Sequence, residues 1–293
     1  MSGRGGVTPI RERFDEAFRV IGRLIAIAAV TGVTMFLLGI VLKPVLPDGL
    51  PSGREGRAFF ALIASLALVV GHVVAALGME KRNWAMCGMG AAMWRPADLL
   101  TAPFVGAMVV MGPALALLWL GKASLEPTMV ADWTAHAGRV LADVATGLAP
   151  EALILRGYMF GLLQDRWGKA LPLAVGAIAS MAIVYLTGGG GPWVAAAAAA
   201  MGLLLGAVRV ASGSVMASWL THVAAMWCLG AVLNAPSPWA PVNVPLHRWS
   251  AGGPEWLTGG GAGPETGLLA AATLVVVSFI VLHPRRPSHA RAR

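Results

Sequence analysis

Glu151 and Arg156 stand five residues apart in the apolar run Val140–Gln164, which also holds Asp143. Two histidines, His72 and His222, fall inside other apolar runs. An ionisable side chain at the centre of a membrane helix costs roughly 2.5–3.5 kcal/mol, so each needs a partner, water or a function. A carboxylate in a low-dielectric pocket can exchange protons near neutrality. Glu151 and Arg156 are one residue beyond the ideal i,i+4 pair, yet long side chains bridge that gap or share a third group. The same two residues also fit an ion pair that only orients helices. Taken alone, His222 fits a packing residue bonded to a carbonyl or hydroxyl, and His72 fits that role more strongly. Asp143 reads as a solvated acid near the external end of its helix.

The elements that carry these residues follow from composition. Of the 293 residues, 57% are hydrophobic and 12% charged, against about 25% charged in a soluble domain. Mean hydropathy is +0.71. Too few polar side chains remain to cover a soluble surface, so lipid is the main solvent. The expected fold class is all-α, a polytopic transmembrane bundle of about eight spans. Leu24–Leu42, Ala58–Met79, Leu99–Gly121, Leu171–Thr187 and Gly213–Leu233 are free of charge. Val140–Gln164 carries charges, and Trp193–Val208 and Gly267–Leu282 are short. Lys and Arg concentrate on the side of the N-terminus, with Arg4, Arg11, Arg13, Arg19 and Arg23 there and Arg209 assigned to a loop on the same side. The positive-inside rule then gives N-in and C-in.

The organisation expected is a basic cytoplasmic segment at 1–23, a helical membrane domain at 24–283 and a basic cytoplasmic tail at 284–293. Glu12, Asp15 and Glu16 argue against a cleavable signal. Lys81–Asp98, with Trp84 and Trp94, suits the cytoplasmic interface. Gly188–Gly191 with Pro192 reads as a tight turn, and Pro236–Gly263 as an external loop. The glycines of that loop lack a following Lys-Ser/Thr and do not make a phosphate loop. The net charge of +8 fits orientation and contact with membrane lipids rather than nucleic acid. Cys87 and Cys228 share no metal or disulfide spacing.

The stretch Glu151-Ala-Leu-Ile-Leu-Arg156-Gly-Tyr resembles the first signature of the CPBP family, the CAAX-protease and bacteriocin-processing (Abi-type) membrane proteins. That signature has two adjacent glutamates, three residues and an arginine, followed by Gly-Tyr. Ala152 stands in place of the second glutamate. Met181-Ala-Ile-Val-Tyr185 corresponds to the second signature, Phe-x-x-x-His, with Tyr185 at the histidine. His222-Val-Ala-Ala-Met226 corresponds to the third, His-x-x-x-Asn/Asp, with Met226 at the last position. The resemblance covers about 99–233.

The resemblance implies an intramembrane endopeptidase in a bacterial inner membrane, acting on a membrane-associated peptide such as a leader peptide or lipid-modified tail. Glu151 would be the general base on a water, and Arg156 its electrostatic partner. His222 and Tyr185 would polarise the reacting groups. With Ala152 in place of a carboxylate, Arg156 would lean on Glu151 itself. The pocket is expected from the spans of Glu151, Tyr185 and His222. No cofactor or metal is expected, because a catalytic zinc wants three protein ligands. A catalytically inactive relative that binds a peptide or membrane partner is the alternative, motivated by Ala152, Tyr185 and Met226. A transporter is a third reading, disfavoured by the absence of visible repeated halves.

Overall fold

The structure is a computed structural model and describes residues 10–43, 53–127, 132–186, 191–237 and 247–283. The tail at 284–293, most of the Gly188–Gly191 turn and part of the Pro236–Gly263 loop lie outside these residues. The described chain is an all-α polytopic membrane bundle with one small strand pair. It divides into two compact units, one ending at Asn83 and the other starting at Trp84.

The first unit pairs α1 (Ile10–Leu42) with α2 (Gly53–Val74), which runs on as a π-helical turn over Ala75–Met79. The helix α1 begins inside the segment expected to precede the first span. Gly71 of α2 lies against α1, where an added Cβ would sit 2.6 Å from Thr31 Oγ1. Arg23 Nη1 donates to Glu80 Oε1 at 2.7 Å. His72 is buried, and its Nδ1 is bonded to the Leu68 carbonyl at 2.7 Å, as a packing histidine would be.

The second unit holds α3 (Pro96–Trp119), α4 (Trp133–Arg156), α5 (Tyr158–Trp167), α6 (Ala170–Leu186), α7 (Pro192–Ser212), α8 (Val215–Trp227), α9 (Glu255–Thr258) and α10 (Leu268–Leu282). A π-helical stretch, Cys228–Leu233, continues α8. By length and apolarity, Phe14–Leu42, Glu55–Met79, Pro96–Trp119, Pro192–Ser212 and Val215–Leu233 can each cross a bilayer, while α6 and α10 are shorter apolar helices. In lipid, helices associate through small residues that let backbones approach. Gly106 of α3 abuts the Thr221 carbonyl of α8, and Gly202 of α7 abuts Gly176 and Ser180 of α6.

The expected span Val140–Gln164 is two helices. Asp132 caps α4 by accepting from the Thr134 and Ala135 amides, so the helix starts at Trp133. It stops at Gly157, whose φ of −82° and ψ of −129° leave the helical region, and α5 restarts at Tyr158. The loop between α3 and α4 also differs from expectation. Its strand β1 (Ala123–Pro127) pairs antiparallel with β2 (His247–Ala251), Leu125 facing Trp249. Buried Trp249 anchors this ribbon.

Candidate active site

Glu151 lies on α4 and His222 on α8, and a ladder of side-chain-to-carbonyl bonds ties these two helices together. Trp219 Nε1 donates to the Ala145 carbonyl and Trp227 Nε1 to that of Ala137, both at 3.1 Å. In the other direction Trp133 Nε1 donates to the Ala231 carbonyl at 2.9 Å, and His136 Nε2 bonds that of Gly230 at 3.3 Å. Ala231 and Gly230 belong to the π-helical end of α8, where the wider turn re-aims backbone carbonyls. The ladder fixes the registry between the carboxylate and the imidazole.

Arg156 is 2% exposed and closes α4. Its Nη1 donates to Glu151 Oε1 at 3.0 Å, and its Nη2 has no hydrogen-bond partner among the described residues. Ala152 is four residues before Arg156 and buried, so the position one helical turn from the guanidinium offers no acceptor side chain.

Arg209 is not the loop charge the sequence suggested. It is 4% exposed, and its Nε donates to the Arg156 carbonyl at 2.9 Å. Its Nη2 reaches the carbonyls of Ala85 and Met86 at 3.3 and 3.4 Å. The guanidinium stacks over the Phe160 ring, 5.7 Å from its centroid. Arg209 thus holds the carbonyl that the helix break at Gly157 leaves free. Its sequence signal was weak, since a cation near a helix C-terminus is ordinary.

Glu151 and His222 line one cavity of about 40 Å³, with Leu148 of α4, Ser180, Ile183 and Val184 of α6, and Ala198 and Met201 of α7. Water needs about 10–15 Å³ of such space, so the cavity has room for it. Glu151 keeps 24% of its side chain exposed, whereas His222 is 6% exposed. His222 Nδ1 has no partner among the described residues.

Tyr185 does not enter this cavity. It is 72% exposed, and Met181 is also exposed. Ser180 and Val184, each one position earlier, face inward instead. One residue is about 100° on a helix, so matching the signature by sequence selected the wrong face of α6. The position facing the site is valine, and the polar group supplied by α6 is Ser180, which the sequence reading missed. Met226 is fully buried in the apolar core. Asp143 is half-buried on α4 and is not among the cavity-lining residues.

Glu151 and His222 supply two side chains of the three that a catalytic zinc wants. Among the described residues no group of three His, Cys, Asp or Glu side chains gathers.

The family model described as Type II CAAX prenyl endopeptidase Rce1-like matches residues 132–228. That segment runs from the cap of α4 through α8 and contains Glu151, Arg156, Ser180, Arg209 and His222. No curated protein and no solved structure matches the chain. Its apolar helices make the chain an integral membrane protein, and over the site-bearing segment it is similar to the Type II CAAX prenyl endopeptidase Rce1-like family.

Proposed function

We propose that the chain is an intramembrane endopeptidase of a bacterial inner membrane that hydrolyses a membrane-associated peptide with a glutamate-activated water. The observation that carries this reading is the shared cavity of Glu151 and His222, large enough for water and built from α4, α6, α7 and α8. Glu151 Oε1 is taken by Arg156, which leaves Oε2 as the proton acceptor. Water oxygen attacks the scissile carbonyl carbon, the C=O π pair moves to the carbonyl oxygen, and the water proton passes to Glu151. His222 donates to the oxyanion. Collapse breaks the C–N bond, and the proton on Glu151 goes to the leaving amine. The cavity is too small for a peptide as it stands, so binding must part the helices around Ile183, which is 43% exposed at its margin.

The test is a membrane-tethered reporter carrying a leader peptide or a lipid-modified tail, co-expressed with the protein. The wild type releases the reporter. Glu151→Gln does not, at equal membrane levels. Persistent release by that variant contradicts the mechanism.

One observation favours a second reading, a non-catalytic binder of the same peptide. Arg156 occupies Glu151 directly. In that case wild type and Glu151→Gln retain the intact reporter equally on co-purification.

A further inference from the structure

Ser180 is the polar residue that α6 contributes to the Glu151–His222 cavity, and its hydroxyl departs from the pattern of the other helices. A helical Ser or Thr hydroxyl can satisfy itself on the carbonyl four residues back. Thr34, Ser65, Ser212, Thr221 and Ser278 all do so, at 2.6–2.9 Å. Ser180 is 9% exposed, and its Oγ has no hydrogen-bond partner among the described residues. Thr31 of α1 also lacks one, but it is wedged against Gly71. Beside Ser180, room for the hydroxyl is made by Gly202 of α7, where a Cβ would sit 2.7 Å from Ser180 Oγ. A buried hydroxyl without a partner costs stability, and a cavity shared with a carboxylate and an imidazole gives that cost a use.

We infer that Ser180 is a catalytic hydrogen-bond donor, its hydroxyl joining His222 in holding the oxyanion. The inference rests on the peptidase reading above. Ser180 keeps its own proton throughout. Water alone is added across the C–N bond, with Glu151 receiving the proton and returning it to the amine. The hydroxyl replaces the group that Tyr185, turned outward, cannot supply.

The experiment uses the full chain reconstituted in liposomes, with a fluorogenic peptide bearing a lipid-modified cysteine as probe. Removing one oxyanion donor typically lowers kcat about 10²–10³-fold. Ser180→Ala is expected to lower kcat by about 10²-fold with KM little changed. Because the substitution removes an unsatisfied polar atom, Tm should rise, by about 2–4 °C. A fall in Tm would assign the hydroxyl a structural partner and overturn the inference. So would a kcat within about twofold of wild type. Covalent capture of Ser180 by a fluorophosphonate would make it a nucleophile and overturn it as well. If Ser180→Ala is fully active while Glu151→Gln is dead, this inference alone fails. If the wild type does not cleave, or Glu151→Gln still does, the peptidase reading fails and this inference with it.

Discussion

Arg156 donates to Glu151 from five residues away on α4, at 3.0 Å, while its other terminal nitrogen stays without a partner among the described residues. The buried methyl of Ala152, one turn before Arg156, lies where a carboxylate would serve the guanidinium at the favourable i,i+4 spacing. Ala152→Glu should therefore draw Arg156 away and release Glu151 for water. Reporter cleavage should rise by about 10²-fold, the lower end of what general bases contribute. Unchanged or lower cleavage at equal membrane levels would separate Arg156 from the control of Glu151.

Arg209 binds three backbone carbonyls from two separate segments. Arg209→Met should leave them buried and unsatisfied, at a cost of about 3 kcal/mol. Thermal unfolding in detergent reads this directly. Gly88, with φ +72° and space only for hydrogen beside Arg209 Nε, should tolerate alanine no better. A Tm of Arg209→Met equal to wild type would show that the carbonyls find other partners.

Tyr185→Phe should be nearly silent. The side chain is 72% exposed on a helix face turned from the cavity, so the stability change should stay within about 0.5 kcal/mol. Cleavage should be unchanged. A large loss of kcat would place Tyr185 in the reaction.

Much of the bundle was legible because apolar runs long enough to span report themselves through composition alone. Glu151 and His222 were legible for the related reason that lipid makes each charge conspicuous. The break at Gly157 was not, since one glycine in an apolar run carries no signal of where the backbone turns. Tyr185 misled because a polar residue at a motif position draws attention, while helical phase sets which neighbour faces the site. Ser180 was invisible for the converse reason: helical serines commonly satisfy themselves locally. Arg209 was mistaken for a loop cation because burial depends on Ala85, Met86 and Arg156, which only tertiary structure brings to it. The β1–β2 ribbon joins segments too far apart in sequence for local patterns to pair.

Outside the spans, Glu265 sits fully buried in the turn before α10, and burial pushes its carboxyl up to about 8, with the Ser237 hydroxyl opposing the shift. The ordinary value is 4.5, so the folded protein holds this proton more tightly between 4.5 and about 8. Stability should therefore fall as pH rises through that window and level off above it. Glu265→Gln should flatten this slope in Tm measured against pH. A slope equal to wild type would assign the pH dependence to other groups.

A single-turnover measurement with purified protein in liposomes and a reporter peptide in the bilayer tests Glu151 as the base most directly. Wild type should cleave, and Glu151→Gln should bind the reporter as tightly while its rate constant falls at least about 10³-fold. A Glu151→Gln rate constant within about tenfold of wild type would show that Glu151 is not the base.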